Sequence, residues 1–550
     1  MTDTAKNITA NKKTKPDATN KYIFFILRFF TKLSVSNIVL PPLSISRHIE
    51  EQHVFRHISK IIIVSLYLTS TAYSLPIDWH GTFGVDSTSI DQFRRIESKT
   101  DSHTSGSNGS QEVALATGGH HRASWQSYVF KLSPEIIIND AATFKGEITN
   151  GYPRGGRLGD NPYKSREGSS FGNALYYYNT SFPGAENKLI LNKFFMELYS
   201  DTATYLIGRH SNHWGLGAVF NEGSQRWDRH TSTRDGITMK LKVGNFSFEP
   251  YWAKMSSVDD LTRASNSRHW GIGLLYDNTD REISFGLQYS IMKIASGNKQ
   301  IKTGINEGNT AISDENTKKI GESNVKLIDL YFKKVFDKFT MEVEAPIFSG
   351  EIGAIYGAGS TKYKARAVLL ETSYKINNSW SVGLDAGTVS GDDGGKSSFD
   401  AMYLHPNYHI ANLLFRYNTR AVSQKADSDP NVYDSYMTNV QYLKLSGKYE
   451  IDKWVWEAGL VYAKASEVAE KDKPAFNHTT NKTFDADAKQ ESDYGMELDF
   501  NFKYKWNQEI HVDGGVGYLL TGDYYAFNNS ANPNVAENSY ILQIRASLDF

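Results

Sequence analysis

The sequence predicts an all-β protein: a transmembrane antiparallel up-and-down β-barrel of about 18 strands, with short turns on one rim and long loops on the other. Three observations predict it. Apolar and polar side chains alternate over stretches of about ten residues, which is the period of a strand and the length that crosses a bilayer at a tilt. Aromatic residues are abundant, with 32 Tyr, 29 Phe and 10 Trp in 550 residues. Short turns rich in Asn, Asp and Gly alternate along the chain with long polar stretches.

Composition narrows the remaining classes. Lys and Arg total 60 against 61 Asp and Glu, so no broad field draws the chain to nucleic acid or to an anionic lipid surface. The absence of cysteine excludes disulfide scaffolds, thiolate metal sites and cysteine nucleophiles. No apolar run approaches the roughly 20 residues of a spanning helix, and the aromatic load is wrong for a disordered chain.

The first element is a secretory signal peptide at 54–74. Arg56 and Lys60 precede the apolar run from Ile61 to Leu68, and small residues follow as far as Ala72-Tyr73-Ser74, with cleavage expected after Ser74. Residues 1–53 are expected to be a mis-assigned or extra N-terminal extension. Since no methionine lies between Met1 and Met196, translation is expected to begin at Val54 from a non-standard start codon; the alternative is a true extension with a membrane-associating segment at 22–30. The barrel then occupies 75–550.

Its strands follow in order. Ile77, Trp79, Gly81, Phe83 and Val85 share one face, opposite Asp78, His80, Thr82 and Asp86. The same alternation recurs at Ile237 to Val243, Ile283 to Ile291, Phe339 to Val343, Tyr494 to Tyr504 and Ile510 to Leu520, and it closes with Tyr540 to Phe550. Eight tight turns are predicted: Asn139-Asp140-Ala141, Asp201-Thr202, Gly244-Asn245, Asn278-Thr279-Asp280, Phe336-Asp337-Lys338, Asn377-Asn378, Glu450 to Lys453 and Asn507-Gln508. Long polar stretches such as 87–124, 153–187, 296–322 and 466–492 lie between them. Eight hairpins plus solitary first and last strands make about 18, and an even number brings both termini to one rim. One more apolar segment, His405 to Tyr417, would make the count odd, so it is expected to be a loop folded into or across the mouth.

Charge within the membrane span is costly unless it faces water, so the inward-pointing charges are the candidate pore-lining residues. Alternation selects Lys131, Glu135, Lys145, Glu147, Lys240, Lys242, Glu342, Glu344, Glu371, Asp385, Glu457, Glu497, Asp499, Asp513, Arg545 and Asp549, and Arg209 is added from the cluster below. Their mixed signs suit a water-filled lumen for polar solutes, or pairing across the lumen that stiffens the wall. The cluster Gly208-Arg209-His210-Ser211-Asn212-His213-Trp214, followed by Trp227, Arg229, His230 and Arg234, offers guanidinium, imidazole and indole groups to carboxylates or sugar faces. From it His210, His213 and Trp214 are the candidate ligand contacts; an aromatic girdle or an ordinary loop would look the same.

Other motifs carry less. The acidic stretch Ser390-Gly391-Asp392-Asp393-Gly394-Gly395 to Asp400 lacks the ligand spacing of a calcium loop and reads as a solvated turn. Gly395-Lys396-Ser397 fails as a phosphate loop because Ser390 stands where the first glycine is needed. Gly168-Ser169-Ser170-Phe171-Gly172 lies in a polar loop without the flanking strand and helix of a nucleophile elbow. No catalytic residue, cofactor or metal is expected.

With these features the chain resembles Gram-negative outer-membrane porin-like barrels. The signal segment ending at Ser74, the sustained alternation and the terminal strand Tyr540 to Phe550 carry the resemblance. It implies that Tyr540, Leu548 and Phe550 present an assembly signal to the barrel insertion machinery. A looser similarity to alginate-export-type channels rests on the strand count, Gly208 to Gly217 and the Ser390 to Asp393 loop. That family lines its pore with bases, whereas here Glu342, Glu344, Asp385, Asp499 and Asp513 add acid. The function expected is therefore passive diffusion of small hydrophilic solutes through the outer membrane, with lipid and the insertion machinery as partners. A loop-plugged recognition barrel and a polysaccharide-export channel are the alternatives.

Overall fold

A computed structural model of the chain describes residues 76–97, 121–151, 153–158, 189–257, 266–294, 306–307, 323–353, 355–356, 360–419 and 432–550. The expectations for 1–53, for the signal peptide at 54–74 and for Gly168 to Gly172 lie outside the described residues.

Eighteen long strands form one closed antiparallel wall. They are β1 (Ile77–Asp91), β2 (Arg122–Asn139), β3 (Ala142–Asn150), β4 (Leu189–Tyr199), β5 (Ala203–Ser211), β6 (Thr233–Val243), β7 (Phe246–Ser257), β8 (Asn266–Asn278) and β9 (Ile283–Ile294). The second half comprises β10 (Ser323–Phe336), β11 (Phe339–Gly353), β12 (Ala367–Lys375), β13 (Trp380–Val389), β14 (Val440–Ile451), β15 (Trp454–Ala465), β16 (Asp493–Lys505), β17 (Ile510–Thr521) and β18 (Ser539–Asp549). Each strand pairs with its neighbours in sequence, and β18 returns to β1 from Thr82 opposite Asp549 to Asp91 opposite Tyr540. The chain's last residue completes the seam: Gly81 N donates to Phe550 O at 2.7 Å and Phe550 N to Gly81 O at 3.0 Å.

All eight predicted turns join hairpins on a single rim, the rim at which β1 starts and β18 ends. At Gly244 the turn needs a positive φ of 58°, a conformation open to glycine at little steric cost. The segment His405 to Tyr417 is not a strand. It lies inside, with Leu404, Leu413 and Leu414 packed among the inner-wall residues Leu369, Val389, Val461 and Leu519. Near the loop rim the inner face is thus apolar, because a loop and not water covers it.

The outer face is apolar around the circumference. Ile237, Trp252, Phe285, Leu330, Val368, Leu384, Leu443, Leu460, Leu498, Val516, Leu542 and Ile544 are all exposed. A water-soluble monomer rarely exposes a continuous apolar surface of more than a few hundred Å², so this belt is a lipid-facing band. Aromatic side chains thicken it towards the turn rim, where Trp380 stacks on Tyr449 with ring centroids 4.5 Å apart and Trp454 on Trp456 at 5.2 Å. Leu445→Arg, midway along β14 on this face, should destabilise the barrel by about 2–4 kcal/mol, whereas a polar exchange at the neighbouring inward Ser446 should be tolerated. Urea unfolding in lipid vesicles checks the difference.

Candidate functional site

Two loops turn inward and divide the lumen. The first, residues 212–232 between β5 and β6, crosses it and is tied to distant parts of the wall. On one side Leu216 N donates to Glu344 of β11 at 2.5 Å. On the other, Lys131 of β2 donates to Gln225 O at 2.6 Å, Arg229 to Tyr128 O at 3.0 Å and Trp227 Nε1 to Asp513 of β17 at 2.6 Å. Arg226 grips Asp549 at 2.5 Å, and Arg154 donates to Gly223 O at 2.7 Å. The second, residues 390–419 between β13 and β14, is held by Glu371, Glu497 and Asp499 through Tyr408, Leu413 and Asn412.

Between the loops runs a series of cavities sharing walls. An outer vestibule of about 540 Å³ is lined by Tyr403, Phe415, Tyr417, Tyr436, Tyr494 and Tyr525 with Arg94 and Arg95. Tyr417 also borders a narrow seam of about 40 Å³ between Trp227, Arg229 and His230 of the first loop and Asn407, His409 and Arg416 of the second. Beneath it, a cavity of about 530 Å³ includes Asp513 and Arg545, and a chamber of about 420 Å³ holds Glu342, Glu371, Asp385, Glu457 and Asp499. Arg416 borders the seam and both lower cavities.

Charge in the lumen is mostly neutralised by neighbouring strands. Lys145 pairs with Glu135 and Glu197, Lys333 with Glu342, Lys444 with Asp385 and Lys503 with Glu457. In the seam Arg229 faces Asp86 at 3.7 Å while its guanidinium lies over the Tyr433 ring, also at 3.7 Å. Arg416 differs: its guanidinium makes no hydrogen bond or ion pair among the described residues. Arg545 has no carboxylate partner there either, donating instead to Gln543 and sitting 5.2 Å from the Trp227 ring centroid.

Several expectations need correction. Arg209 is not pore-lining. Strand β5 continues to Ser211, so alternation sends His210 inward and Arg209 outward beside Phe194, where it pairs with Asp235 at 2.7 and 2.6 Å. Lys131, Glu147 and Glu344 do point inward, but the first loop and Arg154 bury them, so they anchor and do not line. Lys240 and Lys242 remain exposed on the inner face near the turn rim, outside the cavities described. Glu342, Glu371, Asp385, Asp499, Asp513 and Arg545 do line them.

None of the three candidate ligand contacts reaches a described cavity. His210 is buried against Thr238 Oγ1 at 2.7 Å, and the Trp214 indole packs on the wall where Gly273 and Gly286 leave room. His213 lies beside Gly217. The groups that reach the seam come later in the same loop, at Trp227, Arg229 and His230. Arg416 had no sequence signal, because nothing local marks which residue of a long loop will reach the seam. Asp392 is also not a metal ligand in waiting: its carboxylate accepts Gly394 N at 2.9 Å and Asp400 N at 2.8 Å, closing the turn upon itself.

These features define a closed membrane-spanning barrel with a polar, loop-narrowed lumen. No protein family description and no curated protein matches the chain. Among solved structures it is similar to Pseudomonas aeruginosa OpdK determined with vanillate, at 10% identity and a TM-score of 0.43 over 86% of this chain and 98% of that one. It is also similar to Pseudomonas aeruginosa OpdG, at 12% and 0.43 over 86% and 99%. A loop-deletion variant of OmpT, an outer-membrane protein of Vibrio cholerae, matches at 8% and 0.35 over 86% and 99%.

The seam holds His230 and His409, with the His405 ring 6.5 Å from that of His230, and burial favours the neutral form of all three. Burial pushes His230 down to about 4, reinforced by Arg229 and Arg154 and opposed by its hydrogen bond to Tyr433 O; Asp434 stands 3.5 Å away. His405 is pushed down to about 3 by burial, then by His230, Arg154 and His213, and His409 lies well below its ordinary value through burial beside Arg416 and Arg545. Loops released from the seam would regain values near 6.5 and so bind more protons, so the seated state loses stability as pH falls from about 6.5 through about 4. Hydrogen-exchange protection in 212–232 and 390–419, measured against the intrinsic rate at each pH, should therefore fall across that window while the wall strands stay protected.

Proposed function

We propose that this chain is an outer-membrane channel for passive diffusion of small hydrophilic solutes, with anionic ones favoured at the constriction. The carrying observation is the seam itself, where two inward loops leave a narrow polar passage bordered by Arg416, a cation without a partner among the described residues, with Arg545 beside it. A guanidinium without a fixed partner can replace part of an anion's hydration and release it again, as diffusion through a pore requires. The paired charges elsewhere contribute wall stiffness and little net field. Narrowness argues against passage of a polysaccharide chain.

In this reading the segment 54–74 directs secretion and is removed, and Tyr540, Leu548 and Phe550 of the closing strand present the assembly signal. Outer-membrane lipid and the insertion machinery are the partners. A second reading, a barrel kept shut by its loops that uses them for recognition, finds support in the same small seam, about 40 Å³ in volume.

Planar-bilayer recording of the purified protein separates the two, since a channel gives discrete steps and a shut barrel none. Arg416→Glu should then move the reversal potential in a salt gradient towards cations, and the double exchange Lys240→Glu with Lys242→Glu should move it the same way by less. Unchanged selectivity in Arg416→Glu would remove the seam from the permeation path.

A further inference from the structure

The two inward loops that make the constriction are held by wall carboxylates that line no part of the seam. Glu344 of β11 is fully buried, and its Oε2 accepts Leu216 N at 2.5 Å and Ala218 N at 3.4 Å. On β16, Glu497 is equally buried, with Oε1 accepting Leu413 N at 2.6 Å and Oε2 accepting Leu414 N at 2.8 Å. Two residues further along the same inner face, Asp499 accepts Asn412 N at 3.1 Å. Three consecutive backbone N–H groups of the second loop thus converge on the carboxylates of one strand. None of these three acids has an ion-pair partner among the described residues; Glu344 stands against buried Asp329 of β10 and Glu497 against Asp499, and toward the loops it is backbone N–H groups that meet them.

The chain is shaped to permit it. Gly215 has φ +55°, and a Cβ there would stand 2.6 Å from Glu344 Oε2. At Gly517 of β17 a Cβ would meet Asp499 Oδ1 at 2.7 Å and Asn412 Cβ at 3.1 Å. Room for each contact is made on the loop side in one case and on the wall side in the other.

We propose that Glu344 and the Glu497–Asp499 pair are positioning residues, two latches that seat separate loops in the lumen and so set the opening of the channel. The inference rests on the channel reading. Charge-assisted bonds to backbone N–H are about twice as strong as neutral ones, and a buried acceptor left unmatched is costly. Replacing a latch acid by its amide exchanges one acceptor oxygen for an NH2 group, and with that group towards the loop a donor meets a donor.

The test uses the whole barrel in planar bilayers and in vesicles exposed to neutral sugars of increasing size, with Glu344→Gln, Glu497→Gln and Gly215→Ala. Heat-dependent gel migration reports whether each barrel is folded. Gly215→Ala leaves the wall untouched and keeps the test usable if an acid variant does not fold. The latches predict a larger single-channel conductance and a larger sugar-size limit in all three, with Gly215→Ala matching Glu344→Gln. Wild-type steps with unchanged variants would overturn the latches alone. A silent wild type with conducting variants would support the latches and overturn free diffusion, and silence throughout would overturn both.

Discussion

Lipid offers no hydrogen bonds, so a wall that spans it must pair every backbone group within itself. The structure answers with a continuous ladder from β1 to β18 and back, sealed where Gly81 and Phe550 exchange hydrogen bonds. Much else follows from that closure. Outward positions must be apolar, and inward positions face either water or a loop. A charged residue in the span is driven to the lumen, and Arg209, which faces outward, has Asp235 beside it.

A lumen so filled with charge has to neutralise it. It does so mostly between adjacent strands, as with Lys145 between Glu135 and Glu197 or Lys503 beside Glu457. The acids left over hold loop backbone, and the bases buried at Lys131 and Arg154 hold loop carbonyls. Both ends of the peptide dipole are therefore used to draw the loops inward. What remains without a partner in the seam, among the described residues, is Arg416, carried there by the second loop.

The wall was legible because its signals are local. Period two and Asn, Asp or Gly turns are written in neighbouring residues, so the eight hairpins could be read directly, and parity sent His405 to Tyr417 into the interior. Facing was legible to the same degree, except where the end of a strand was misjudged, as at Arg209. The site was far less so. Trp214 and His210 stood in a cluster that resembled a binding site, yet one packs on glycines and the other beneath a threonine. Trp227 and Arg229, a few residues on, reach the seam instead.

The sequence by itself determined that this chain is a barrel, that it has about 18 strands, that each strand carries one apolar face and that acid and base share its interior. Only the tertiary structure decided which of those charges meet solute. Alternation and turn chemistry act over a few residues along the chain, whereas the place of Arg416 is set by Glu497 and Asp499, more than eighty residues away, and by a first loop anchored on other strands of the wall. No short stretch of sequence encodes such a meeting, because its partners come together only when the ring of strands has closed.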